Sequence, residues 1–485
     1  MIKIFLRATI VALAGLAAAC TGPSEETSPP QTPAAETAAA SGCAADPAWI
    51  RSPSLPAEVP GTGSICNFEQ FAWQSLLYLV QPTAADPEIL QFESFMPNYG
   101  VFVAAGGQPT PYGQHPPDPC NDPATVAAKA TGAAPFVYSN IVKQAGVEQP
   151  LIDPNGQFAW YGLSVNETAY DMLTRCELYR SDCAGPLKPG NAGTVDLIGA
   201  YPNLAFPDGA FELKTAWKVL RPEEESSGLF YSTAGWIQPP GQGGACESVT
   251  LGLVGIHVVG KTPETPALVW ASFEHRNNAP DCSDLAAAPP LGGSWSFFDP
   301  ATCDNCTTNF YEPGQPAQVC RMHPQGDSTI GTFPAGQSCE EDPNQGACQE
   351  ATKAMLAEST EAIRELNANV QEMIRDAGGA IDPVWANYEL VGNVWTRGGV
   401  TPPQLQAQVG SLSAANTAME TFVQNGPSAR TNPNNCFSCH NQDSGTFGRN
   451  LPPAGLSHLF DEVAPKSGGC ADGSLPAACG PYTTN

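Results

Sequence analysis

The run Cys436-Phe437-Ser438-Cys439-His440 carries the most specific chemistry in this 485-residue sequence. Two thiols three residues apart, followed directly by an imidazole, form the Cys-x-x-Cys-His pattern of covalent c-type haem attachment. The spacing follows from the reaction. Each thiol adds to one porphyrin vinyl group to give a thioether, and the adjacent histidine is thereby held under the iron as its fifth ligand. On this reading Cys436 and Cys439 bind one haem c covalently and His440 is the proximal iron ligand.

A sixth ligand has few candidates downstream. Only 45 residues follow His440; none is methionine, and His458 is the one histidine among them. A bis-histidine iron with His458 as distal ligand is therefore the expectation. The intervening Gly448, Pro452, Pro453 and Gly455 allow sharp turns. Met419, upstream of the motif, is the alternative thioether ligand, and core packing beside Phe422 is its plainer role. An open or water-bound iron, or a ligand from elsewhere in the chain, remains in play.

Other chemistry-bearing clusters are weaker. Cys303-x2-Cys306-x13-Cys320-x2-His323 has zinc-ribbon spacing, but in an exported protein disulfides are the favoured reading. His257 and His275 fall on two adjacent expected strands. Pairing Lys261 with Ala267 would set His257 opposite Ala271, leaving His275 roughly 13 Å further along, so both read as structural. Glu274 beside His275 resembles an acid–base pair, yet neighbours on a strand point to opposite faces. No phosphate loop, nucleophile elbow or metalloprotease helix is present.

The elements that must position the motif begin with an export leader. Residues 1–19 join Lys3 and Arg7 to an apolar run from Ala8 to Ala19, ending Leu16-Ala17-Ala18-Ala19-Cys20. This ending resembles the lipobox of bacterial lipoproteins and makes Cys20 the candidate lipidated residue. The expected location is the periplasm or cell envelope, with membrane contact through the N-terminal lipid only. Residues 20–42 lack large apolar side chains beyond the anchor and read as a disordered tether; as a flexible coil it would reach roughly 25 Å. The 17 cysteines, less Cys20, Cys436 and Cys439, leave an even number for disulfides. Cys176–Cys183, Cys339–Cys348 and Cys470–Cys479 are the pairs that sequence proximity suggests.

The expected fold class is α+β: a disulfide-rich, β-rich body over residues 43–345, then a smaller, mainly helical haem-binding region over 346–485. Residues 67–80 show helical spacing of apolar groups. Strands are expected at Ala210–Leu220, Val249–Val259 and Leu268–His275, the last two forming a hairpin across the loop Lys261–Pro266. Residues 351–377 contain no Gly or Pro and place Ile363, Leu366, Val370, Met373 and Ala377 in one helical seam, stopped by Gly378-Gly379. A second helix is expected from about 414 to 424, capped by Ser413 or Asn416.

The segments Asn387–Trp395, Asn416–Gln424 and Asn435–Asn441, with Val269–His275, resemble a group of exported bacterial single-haem proteins known only as cytochrome c family members. What the resemblance implies is haem binding, without a specific activity. The chain departs from class I cytochromes c, in which the motif opens a helical domain and a methionine ligand follows.

A formal net charge of −27 argues against nucleic acid as a partner, since there is no basic surplus to meet a phosphate backbone. One-electron transfer with a periplasmic redox partner is the leading expectation. A haem-dependent oxidoreductase with a substrate pocket in the β-rich body, and a surface binding module with an accessory haem, are the alternatives. No catalytic residue is assigned.

Overall fold

The computed structural model describes residues 42–485, apart from 62, 104–106, 118–119, 121–136, 145–148, 180–200, 242–244, 323–344, 397–407, 411–414, 425–439, 441–451, 458, 461–474 and 484–485. The expected leader, the lipidation residue Cys20 and nearly all of the tether lie outside the described residues.

The described elements, in order, are α1 (Ile65–Leu79), β1 (Met96–Pro97), α2 (Asn98–Val101), β2 (Val137–Ser139), β3 (Trp160–Val165), α3 (Glu167–Arg175), β4 (Phe211–Val219), α4 (Pro222–Ser227), β5 (Ser232–Ile237), β6 (Glu247–Thr262), β7 (Thr265–His275), α5 (Gln345–Arg375), β8 (Tyr388–Thr396) and β9 (Gln408–Gly410). The strands form one nine-stranded mixed sheet in the order β1-β3-β4-β6-β7-β8-β9, with β5 on β6 and β2 beside β5. All pairs are antiparallel except β2 with β5. The protein is thus a mixed α/β fold with a β-rich body.

The expected strands at 210–220, 249–259 and 268–275 are present as β4, β6 and β7. Their register differs by one residue from the expected pairing: His257 faces Ser272, because the turn closes at Thr262–Thr265 and an irregularity falls between Gly260 and Thr262. Residues 42–485 form one compact unit, and the sheet runs across position 345, since β8 pairs with β7 over Trp270–His275.

Side-chain alternation sorts the sheet into two faces. One face carries Phe211, Leu213, Trp217, Ile256, Val258, Val269, Ala271, Phe273 and Leu390, which pack with α1 and α5 into the largest core cluster. α1 begins at Ser64, whose hydroxyl accepts from Asn67 N at 3.3 Å. Phe68 stacks on Trp395 at 3.9 Å, and Trp73 meets Phe273 edge-on at 5.0 Å. In α5 the expected seam is buried at Ile363, Leu366 and Val370, continues with Ile374, and has Met373 and Ala377 packed at its border. Gly378 and Gly379 end it with φ of 61° and 85°, a region side chains avoid. Asn367 joins both helices to the sheet: its Oδ1 accepts from Trp73 Nε1 and Leu390 N, while its Nδ2 donates to Leu390 O at 3.0 Å.

Five disulfides are described: Cys43–Cys66, Cys120–Cys246, Cys176–Cys479, Cys282–Cys320 and Cys303–Cys306. Cys176–Cys479 overturns both Cys176–Cys183 and Cys470–Cys479. The turn at the end of α3 and the C-terminal 3-10 segment Ala477–Tyr482 pack in one cluster, so contact in the fold wins over nearness in sequence. Cys339–Cys348 lies outside the described side chains. Cys303, Cys306 and Cys320 are all disulfide-bonded, as the compartment argument favours over zinc. His323 lies outside the described residues.

Glu69 is fully buried between α1 and α5, with one carboxylate oxygen accepting from Ser359 Oγ at 3.2 Å and the other without a hydrogen-bond partner among the described residues. Burial raises its pKa well above the usual carboxylate value, and the Ser359 hydroxyl only partly offsets this. The folded state therefore retains a proton that the unfolded state releases, and stability falls as pH rises above the unfolded value of about 4.5. Glu69→Gln should raise the thermal midpoint at pH 7 by an amount corresponding to about 1–3 kcal/mol. The gain should vanish towards pH 4. Thermal unfolding at both pH values checks it; equal shifts would contradict the protonated state.

Candidate functional site

The opposite face of the sheet is unlike the first. Three rows of cross-strand neighbours lie on it: Val165, Glu212, Val259, Trp270 and Val394; then Leu163, Lys214, His257, Ser272 and Gly392; then Tyr161, Ala216, Gly255, Glu274 and Glu389. The face therefore gathers five ionisable side chains besides Tyr161 where the first gathers core. Chain segments from the C-terminal part cover it.

One covering segment is Ala415–Gln424. The expected α-helix there is instead a turn followed by the short 3-10 segment Thr421–Val423. The polar side chains explain the difference, since each finds a partner other than the helix backbone. Asn416 Oδ1 accepts from Ala418 N, and its Nδ2 donates to Phe273 O at 2.8 Å. Thr417 donates through N (2.9 Å) and Oγ1 (2.5 Å) to Glu274 Oε2. Ala418 O accepts from the Tyr161 hydroxyl at 2.7 Å. Met419 is fully buried beside Gly255, in a cluster with Tyr161 and Val254, as its packing role requires.

Charge pairs secure the same face. Arg321 reaches Glu274 and, at 2.9 Å, Glu389. His257 Nε2 lies 3.0 Å from Glu420 Oε1. Burial raises the pKa of Glu420, but His257 and Lys214 hold it below the usual carboxylate value. Lys214 Nζ stands 5.4 Å from the Tyr161 ring centre, and burial pushes its pKa down against the pull of Glu420. His275 points away from Glu274, as alternation requires. It stacks on Phe230 at 4.1 Å, its Nε2 meets Leu229 O at 3.0 Å, and burial lowers its pKa to about 3.

His440 comes to the first row. Its ring lies over the Trp270 ring, with centres 4.1 Å apart, and its Nδ1 is 2.7 Å from Leu456 O. A carbonyl oxygen only accepts, so Nδ1 carries the proton and, in the neutral ring, Nε2 carries the lone pair. Leu456 belongs to a short 3-10 turn, Pro453–Leu456, and packs with Val259, Leu268, Trp270 and Val394. Ser457 follows; its hydroxyl donates to Glu212 Oε2 at 2.6 Å. Leu459 and Phe460 join the neighbouring apolar cluster containing Val165.

Of the expected site residues, His440 is placed. Cys436, Cys439 and His458 lie outside the described residues. Trp270, Glu212, Leu456 and Ser457 were not singled out by sequence reasoning, although Trp270 falls in the Val269–His275 segment quoted for the family resemblance. Among the described residues no cluster of three or more His, Cys, Asp or Glu could hold a metal ion, and no helix is long and apolar enough to cross a membrane. Compared with protein-family models, curated proteins and solved structures, the chain matches none.

Trp270 is 7% exposed and bridges His440 to the sheet. Trp270→Ala should cost about 3–5 kcal/mol in urea unfolding, whereas Trp270→Phe, which retains a ring, should cost clearly less. Equal costs would show that a retained ring at this position contributes nothing to stability.

Proposed function

We propose that this protein is an exported, lipid-anchored, single-haem c-type cytochrome that transfers one electron at a time with a periplasmic redox partner. Cys436 and Cys439 hold the haem, and His440 binds the iron through Nε2. The observation that carries the reading is the Leu456 carbonyl on His440 Nδ1. A backbone acceptor on one ring nitrogen fixes the tautomer and orientation that a metal-ligating histidine needs at the other. The surroundings fit as well. Val259, Leu268, Trp270, Val394 and Leu456 form an apolar bed beside His440, and a low-polarity bed suits a porphyrin and tunes an iron potential.

When bound, the haem supplies the one-electron chemistry. This chain contributes the rest. Trp270 and the Leu456 carbonyl orient the half-buried imidazole, and apolar side chains line the sheet beside it. Cys20 and the tether keep the body close to a membrane.

A second histidine ligand from His458 belongs to the same proposal; it follows Leu456 by two positions and lies outside the described residues.

A haem-dependent oxidoreductase is the second reading, favoured by Lys214, His257 and Glu420. These stand one row from Trp270 on the same face and could hold an anionic or hydrogen-bonding substrate.

Two measurements test the proposal. Acid–acetone extraction should leave one haem on the purified protein, and a Cys436→Ala, Cys439→Ala variant should retain none; extractable haem would refute covalent attachment. His458→Ala should keep the haem attached but convert the iron from low towards high spin, whereas an unchanged spectrum would remove His458 as a ligand and point to Met419 or another residue of the body.

A further inference from the structure

Ser457 connects two groups on the first row. Its hydroxyl oxygen accepts from Leu459 N at 3.1 Å, so its single proton is committed to Glu212 Oε2 at 2.6 Å. The preceding residue, Leu456, is the one whose carbonyl holds His440 Nδ1. Glu212 and His440 are thus two ends of one short strap, Leu456-Ser457. The other carboxylate oxygen of Glu212, Oε1, is buried and has no hydrogen-bond partner among the described residues. An ionised carboxylate in that position is short of a donor, and a protonated one is not.

The charged groups around Glu212 have other partners. Lys214, two residues on along β4, stands over Tyr161 near Glu420. His257, opposite Lys214, is paired with Glu420. Lys261, further along β6, donates to Asp208 at 2.8 Å. The cross-strand neighbours Val165 and Val259 are apolar, as are Leu459 and Phe460 above them. Burial pushes Glu212 up to about 7, with the Ser457 hydroxyl opposing.

We propose that Glu212 is a positioning residue that couples uptake of one proton to reduction of the iron held by His440, acting through Ser457 and Leu456. The proposal rests on the haem reading above. The step balances: ferric iron takes one electron from an external one-electron donor, and the Glu212 carboxylate takes one proton from solvent to become a carboxylic acid. Reoxidation releases both, and no other bond is made or broken. Glu212 and Trp270 lie two strands apart in one row, about 10 Å. Across protein interior at that distance, one unit of charge alters a proton affinity on the order of tenfold. The oxidised iron favours the carboxylate and the reduced iron favours the acid.

The test is the midpoint potential of the haem-loaded full chain, measured by spectroelectrochemical titration from about pH 5 to pH 9. The wild type should show a potential that falls with rising pH across a window around neutrality and levels off on both sides. Glu212→Gln, which keeps shape but cannot titrate, should abolish the slope there. Glu212→Asp should restore a slope in a displaced window. Ser457→Ala, which leaves the carboxyl in place but cuts the strap, should move the window and change the potential at its plateaus. A flat wild-type profile, or a slope that survives in Glu212→Gln, overturns the coupling while leaving the haem reading intact. A protein that carries no covalent haem overturns the reading itself, and the proposal falls with it.

Discussion

The constraint on which the rest of the structure depends is the two-residue alternation of one antiparallel sheet. β4, β6, β7 and β8 each send every second side chain to α1 and α5, where Trp73, Phe211, Phe273 and Trp385 are sealed from water. The intervening residues of these strands are covered in large part by turns and short 3-10 segments from later in the chain, Ala415–Gln424 and residues 453–457. They are the ones that carry charge: Glu212, Lys214, His257, Glu274 and Glu389. A one-residue slip in register would exchange the two sets and bury these groups in the apolar core. The fold can therefore support a polar, titratable face only because the opposite face supplies the driving force for burial.

That division explains where the C-terminal segments go. A surface with Glu274, His257 and Glu212 needs donors and counter-charges, and Ala415–Gln424, Arg321 and Leu456-Ser457 provide them. The same contacts bring His440 to Trp270. The apolar cluster around Trp270 shares its row with Glu212, whose pKa burial raises to about 7. The tautomer of the imidazole follows from a backbone contact, since the Leu456 carbonyl dictates which nitrogen carries hydrogen.

Much of this fold was legible in the sequence, for identifiable reasons. β4, β6 and β7 are long runs of apolar and β-branched residues, and α5 keeps an uninterrupted seam closed by two left-handed glycines. Other parts were not legible. The turn at Ala415–Gln424 has helical spacing, but its Asn and Thr side chains bond to a sheet face that only tertiary structure creates. Cys176 finds Cys479, 303 residues away, a partner no local spacing could suggest. The motif around His440 stood out because covalent haem attachment would fix its spacing, and of its three ligating residues only His440 is among the described residues. Glu212 and Trp270 were not, because their importance arises from register and from contacts made across more than 150 residues of chain.

The account stands on His440 being the ligand of a covalently held haem. Denaturing intact-mass analysis of the exported protein, with the haem located by peptide mapping, tests that most directly. The account predicts the mass of the processed chain plus one haem, with the added mass confined to the peptide that contains Cys436 and Cys439. A haem-free mass, with Cys436 and Cys439 joined to each other as a disulfide, would contradict it.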